Sequence, residues 1–75
     1  MTRFVLRAKI IRRPGDGVRP AVLVQVSIAE DGNGCFFLFS EDEEGVAIYD
    51  TWHETIAEAK QQAETEYVLG PWVEP

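Results

Sequence analysis

The chain has two side chains suited to direct chemistry: its single histidine, His53, and its single cysteine, Cys35. His53 stands close to Asp50 and Glu54 and has the residue type of a general base or a metal ligand. A zinc site needs three or four protein ligands, however, and one histidine with one distant cysteine does not supply them. Cys35 has no Cys-x-x-Cys partner, and we interpret it as a buried strand thiol or an incidental thiol at the edge of a loop. We therefore expect no catalytic residue, no metal and no cofactor, and classify the chain as a non-enzyme.

The acidic run 41–44 is the other candidate for ion binding. Its four acids are consecutive, whereas a calcium loop of the EF-hand type spaces its ligands at alternate positions. The glycines at 15, 17, 32 and 34 do not open a helix and are followed by no Gly-Lys-Ser/Thr, so they predict no phosphate loop. We interpret the acidic run as a solvated loop, with contact to a basic partner as the alternative.

Charge is divided very unevenly along the sequence. Residues 1–19 carry six cations and one acid, or +5, and the remaining residues carry one cation and twelve acids, or −11, for a net charge of −6. The six cations are Arg3, Arg7, Lys9, Arg12, Arg13 and Arg19. Such a stripe could bind phosphates, although an acidic protein repels nucleic acid overall and basic residues also protect edge strands. Nucleic-acid binding stays open as the second hypothesis.

Length and composition predict one small domain over residues 1–75 with an apolar fraction of 45%, enough for one core. A single cysteine permits no internal disulfide, which suits a reducing compartment. The N-terminus runs directly into an alternating pattern without a secretory signal, and no apolar run approaches the roughly 20 residues of a membrane span. We therefore expect a cytoplasmic protein.

Alternation predicts four strands, at residues 3–12, 21–29, 35–39 and 46–50. Turn residues separate them at 14–17 and 31–34, and an acidic loop covers 40–45. In the first strand Phe4, Leu6, Ala8 and Ile10 form one row. In the second strand the row expected to point inward is Val22, Val24, Val26 and Ile28.

One helix follows the strands. Thr55 and Glu58 have the spacing of a capping box, and a stripe of apolar residues begins at Ile56. The stripe consists of Ile56, Ala59, Ala63 and Tyr67. We expect the helix to end near residue 68 or 69, with Gly70 as the residue that terminates it.

These elements predict an α+β fold, an antiparallel β-β-β-β-α meander with the helix packed on one sheet face. One helix covers one face, so the other face should remain exposed. We expect it to hold the apolar residues Val5, Ile11, Leu23, Phe36 and Leu38 among Arg3, Arg7 and Lys9. Monomers seldom expose large apolar patches, so either the tail containing Trp72 or a partner should cover it. The candidate interaction surface comprises Arg3, Arg7, Lys9, Leu23, Phe36, Leu38 and Trp72. A second copy of the chain, as a homodimer, is the simplest partner.

The block DTWHETIAEAKQQAETEY, residues 50–67, followed by Trp72, resembles the C-terminal half of short bacterial proteins that share the pattern D-T-W-H-x-S/T-x-x-E-A-K-x-Q-A. This resemblance covers about a third of the chain, implies a small bacterial cytosolic protein and carries no assigned activity. A weaker similarity is to Hic-type antitoxins, in which three strands lead into a helix with a Thr-x-x-Glu-Ala motif, matched here by residues 55–59. The glycine and cysteine usual before that motif are replaced by residues 49–52. Together these observations predict a protein-interaction module of accessory, inhibitory or self-associating type.

Overall fold

The computed structural model describes residues 3–12 and 23–75. Within these ranges the chain forms five strands and one helix. In chain order they are β1 (Arg3–Arg12), β2 (Leu23–Glu30), β3 (Phe36–Asp42), β4 (Ala47–His53), α1 (Ile56–Glu66) and β5 (Val68–Leu69). The turn expected at 14–17 and the start of the second strand at 21–22 lie outside the described residues.

The strands form an antiparallel sheet in the order β4-β3-β2-β1-β5. Consecutive strands β1 to β4 are neighbours, because short connections favour pairing of sequential strands. The helix packs on one face of this meander, which confirms the α+β prediction. The short β5 was not predicted; it returns along the free side of β1, and Val73 continues the pairing by exchanging two backbone hydrogen bonds of 2.8 Å with Arg7.

Two hairpin turns have the same design. The Asp31 carboxylate accepts hydrogen bonds from the backbone N–H groups two and four residues later, at 2.7 and 3.1 Å. The Asp42 carboxylate does the same at 2.9 and 3.0 Å. Three residues after each aspartate comes a glycine with positive φ, Gly34 at +87° and Gly45 at +83°. These turns fix the β2–β3 and β3–β4 registers through local chemistry visible in the sequence.

The helix begins as the capping box predicts. The Thr55 hydroxyl accepts a hydrogen bond of 3.1 Å from the backbone N–H of Glu58. The expected end near residue 68 or 69, followed by Gly70, is wrong, because the helix stops at Glu66 and Tyr67 is already extended. The Tyr67 ring is buried and its hydroxyl donates to the Ser40 hydroxyl at 3.0 Å. Leaving the helix at this point lets the chain turn back into β5.

The core lies between the helix and one sheet face. Close approach is possible because the helix presents two small, fully buried residues, Ala59 and Ala63. The buried cluster consists of Ala8, Leu23, Val26, Ile28, Leu38, Ala59, Ala63 and Tyr67. Val5, Phe36 and Trp72 are partly buried against it.

Extra residues in the strands change which side chains share a face. Phe4 and Leu6 of β1 pair with the consecutive residues Ala29 and Ile28 of β2, so Val5 between them is a β-bulge. As a result, Phe4 and Leu6 lie on different faces of the sheet. Between Leu23 and Gln25 the extra residue is Val24, which turns Leu23 toward the helix. The expected rows in both strands were therefore partly wrong, since a slip of one residue reverses the facing of every residue beyond it.

Candidate interaction surface

The sheet face away from the helix is called the open face here. No described helix or strand packs on it. Its side chains, in strand order, are Val73, which pairs with Arg7; Phe4, Arg7 and Lys9 from β1; Gln25, Ser27 and Ala29 from β2; Phe37, Phe39 and Glu41 from β3; and Ala47, Asp50 and Trp52 from β4.

Of the candidate surface residues, the structure brings only Arg7 and Lys9 together on the open face. Leu23 and Leu38 are 4% and 2% exposed in the core, and Phe36 packs against that core. The expectation that these three occupy the uncovered face is therefore wrong.

The other two candidates lie elsewhere. Arg3 is separated from Arg7 and Lys9 because the bulge at Val5 reverses its facing, and it borders a groove with Ile56. The Trp72 indole donates to a Glu64 carboxylate oxygen at 3.1 Å and so lies against the helix. Trp72 does not cover the open face.

The centre of the open face is aromatic. The Phe37 and Phe39 rings stack with centroids 5.7 Å apart, and the Phe4 and Phe39 rings approach to 6.2 Å across β2. Beneath these rings Ser27 and Ala29 are fully buried. Phe4 remains 39% exposed and Trp52 52% exposed. We call Phe4, Phe37, Phe39 and Trp52 the aromatic patch.

A polar network crosses three strands beside the aromatic patch. The Arg7 Nε donates to the Ser27 hydroxyl at 3.1 Å, and that hydroxyl donates to Glu41 Oε1 at 2.7 Å. The Gln25 amide donates to the same oxygen at 2.7 Å. Glu41 is only 5% exposed and lies in β3. The expectation that the acidic run is a solvated loop is therefore wrong for this residue. Hydrogen bonding of this kind offsets the cost of burying a carboxylate.

The two borders of the open face carry opposite charges. Arg7 and Lys9 lie on β1, and the Arg7 guanidinium stands 5.5 Å from the Phe4 ring centroid. Asp50 lies on β4, and Asp31 lies nearby, where its carboxylate accepts the Trp52 indole N–H at 3.2 Å. A hydrogen bond from the backbone N–H of Asn33 is the main cause that lowers the pKa of the Asp31 carboxyl. A shallow groove at the β1 border adds apolar surface from Ile11, Pro71 and Val73.

Sequence reasoning missed Phe4, Phe37, Phe39 and Trp52 on this surface. The signal for Phe37 and Phe39 was present in the turn at 31–34, because a hairpin closed there pairs them with Ala29 and Ser27. Those two small residues alternate with the buried Val26 and Ile28, which marks their face as the one away from the helix. Phe4 could not be assigned in this way, since its facing depends on the bulge.

The residues that first suggested chemistry are held in local contacts. The His53 Nε2 and the Thr51 hydroxyl lie 2.7 Å apart. Burial, with the charges of Asp31 and Glu54, raises the pKa of the Cys35 thiol, which opposes nucleophilic reactivity. Among the described residues, no group of three or more His, Cys, Asp or Glu is placed to hold a metal ion.

Fold and surface together define a small α+β protein with one closed sheet face and one open, aromatic sheet face. No family model matches the chain, and it has no significant match among curated proteins or solved structures. Within residues 3–12 and 23–75, no helix has the length and apolar character needed to cross a membrane.

Proposed function

We propose that this protein is a non-enzymatic protein-interaction module of the bacterial cytoplasm that binds its partner through the open face. The observation that carries the proposal is the aromatic patch, in which Phe4 and Trp52 stay well exposed, whereas the helix-side face of the central strands buries Val26, Ile28 and Leu38. Aromatic side chains with flanking arginine are enriched at the energetic centres of protein interfaces. An accessory or inhibitory role, as the similarity to Hic-type antitoxins implies, uses the same surface.

The composition of the surface supports a protein ligand. A central apolar region is bordered by charged residues, which is the usual arrangement of a protein interface. Cationic Lys9 and anionic Asp50 lie on opposite borders, so the partner should carry both signs of charge.

Photocrosslinking in the native cells tests the proposal directly. A benzoylphenylalanine replaces Trp52 on the open face or, as a matched control, the exposed Ala57 on the helix. We expect a discrete crosslinked product from position 52 and none from position 57. Equal labelling from both positions, or no product from position 52, would contradict a binding role for this face.

Single-stranded nucleic acid is the second candidate ligand. The observation in its favour is that Phe37 and Phe39 project from a central strand on the same face as Arg7 and Lys9, and exposed rings on a sheet can stack bases. Phe36, the phenylalanine among the residues that the sequence predicts for the interaction surface, packs against the core on the helix side. The net charge of −6 and the acidic β4 border oppose such binding.

The decisive measurement is fluorescence anisotropy of a labelled oligonucleotide at about 50 mM and 200 mM salt, where phosphate contacts lose most of their affinity. A nucleic-acid binder should bind at low salt, and Arg7→Gln should weaken it. No binding at about 50 mM salt excludes this second function.

A further inference from the structure

We propose that the partner bound by the open face is a second copy of this chain, related by a twofold axis that runs parallel to the strands between β2 and β3. The inference rests on the proposed function and identifies its partner. It follows from the order in which charged and aromatic residues cross the sheet.

The strand register places the open face in two rows. One row crosses the sheet as Arg7, Ser27, Phe39 and Asp50. The next crosses it as Phe4, Ala29, Phe37 and Trp52. In each row the members are directly paired neighbours, so they lie at the same height along the strands.

A twofold axis parallel to the strands leaves the position of each residue along the strand direction unchanged and reverses the order of the strands across the sheet. It places β1 over β4 of the second copy, and β2 over β3. Arg7 then faces Asp50 of the second copy, and this attraction occurs twice because the interface is isologous. Phe4 faces Trp52 of the second copy, which extends the aromatic patch across the interface.

The alternative axes are less favourable. An axis in the sheet plane but perpendicular to the strands places each strand over itself, so the Arg7 and Lys9 border meets the same cations of the second copy. Like charges placed opposite each other across an interface oppose association. The charge pattern therefore selects the axis parallel to the strands.

The available area is compatible with a reversible dimer. The axis overlays the four strands β1 to β4, which are about 4.8 Å apart and about seven residues long and so present a face of roughly 19 by 23 Å. Two such faces bury on the order of 900 Å², which is below the roughly 1,200 Å² of a standard interface and in the range of weak, transient ones. The dimer should therefore dissociate on dilution.

A charge exchange tests the proposed axis. The full chain is studied by light scattering and sedimentation velocity over a dilution series, in reducing buffer because Cys35 is free. We expect wild type to dimerise reversibly, and Arg7→Glu or Asp50→Lys alone to raise the dimer dissociation constant at least about tenfold, since each creates two like-charge contacts. An equimolar mixture of the two variants should restore dimerisation, because both contacts in the heterodimer are again attractive.

Glu43→Lys is the matched control for Asp50→Lys. It makes the same charge change at an exposed residue in the β3–β4 turn, away from the open face, and should leave dimerisation unchanged. Arg7→Glu places a carboxylate beside Glu41, so its folding is checked by circular dichroism. If it does not fold, Arg7→Gln replaces it, and we expect this variant to weaken the dimer without reversing the charge.

The results separate this inference from the proposed function. A wild-type monomer at every concentration, or a dimer insensitive to Asp50→Lys, would overturn the twofold dimer on this face. A mixture that fails to restore association, with both variants folded, would overturn the assigned axis. A crosslinked product from position 52 with the mass of a different protein would refute the second copy as partner and leave the interaction function standing.

Discussion

The two faces of the sheet are made by alternate residues of the same strands, yet they are built differently. On the helix face, Val26, Ile28 and Leu38 are almost fully buried against the small residues of α1. On the open face the neighbouring residue Ser27 is equally buried, but beneath aromatic rings and inside a hydrogen-bonded network with Glu41. A low exposed fraction therefore does not by itself distinguish a sheet face that the protein already covers from a face that can still bind a partner.

What distinguishes the faces is the character of the side chains that remain exposed. The helix face is closed by Tyr67, whose ring is buried and whose hydroxyl is bonded to Ser40. The open face instead presents aromatic rings and charged groups to solvent: Trp52 is half-exposed, and the Arg7 guanidinium lies over the Phe4 ring. We infer that the helix face holds the fold together and that the open face is available for binding.

The largest expected effect comes from a charge on the helix face. Val26→Lys buries an ammonium group at a residue with 0% exposure, and an unpaired buried charge costs several kcal/mol. Total stability should be only about 4–11 kcal/mol for a domain of this size. We expect thermal unfolding followed by circular dichroism to show a midpoint lower by at least about 12 °C, or no cooperative transition.

Val24→Lys is the control for that prediction. The sequence pattern alone predicts that Val24 is a core residue and that its replacement by lysine unfolds the domain. In the structure Val24 is a half-buried bulge residue outside the core cluster, so its effect should be clearly smaller. Equal losses for both variants would show that the helix face does not carry the core.

Most of the fold followed from short-range signals. The turn at 31–34 and the N-cap at Thr55 are local arrangements, and both are confirmed. The helix end was wrong because Tyr67 leaves the helix for a contact with Ser40, which is distant in sequence. The strand β5 has only two residues, too few to show a period.

The open face was less predictable because it depends on bulges. The extra residues Val5 and Val24 are ordinary β-branched strand residues, and nothing in their type marks a register shift. One bulge exchanged the facing of Phe4, and the other moved Leu23 into the core. Arg7 and Lys9 were placed correctly on the uncovered face because they lie between two bulges in a regular part of β1.

A loss of stability of intermediate size is expected when a serine of the sheet is replaced by alanine, and its size should differ between the two faces. Ser27→Ala removes a hydroxyl that donates to the buried Glu41 carboxylate and accepts from Arg7. Hydrogen bonds to charged groups contribute about 1.5–3 kcal/mol, whereas neutral ones contribute about 0.5–1.5 kcal/mol. Ser40→Ala removes only the neutral bond from Tyr67 on the helix face. Urea unfolding should therefore show the larger loss for Ser27→Ala, and the reverse order would contradict the Glu41 network.

The smallest loss of stability is expected from removing the N-cap of α1, the helix that covers one face of the sheet. Thr55→Ala removes the N-cap and leaves the Glu58 backbone N–H without its side-chain acceptor, at a cost of about 1 kcal/mol. Thr65→Ala is the matched control, because its hydroxyl donates to the Gln61 carbonyl within the helix, a bond that adds little helix stability. Urea unfolding measures both variants.

A domain of this size usually unfolds in one transition, so the lost cap should lower the stability of both faces together. If Thr55→Ala instead exposes Tyr67 to solvent while the rest of the sheet keeps its stability, the helix is a separately unfolding cover. The open face would then not be the one surface of the sheet free to bind, because the helix face would become accessible as well.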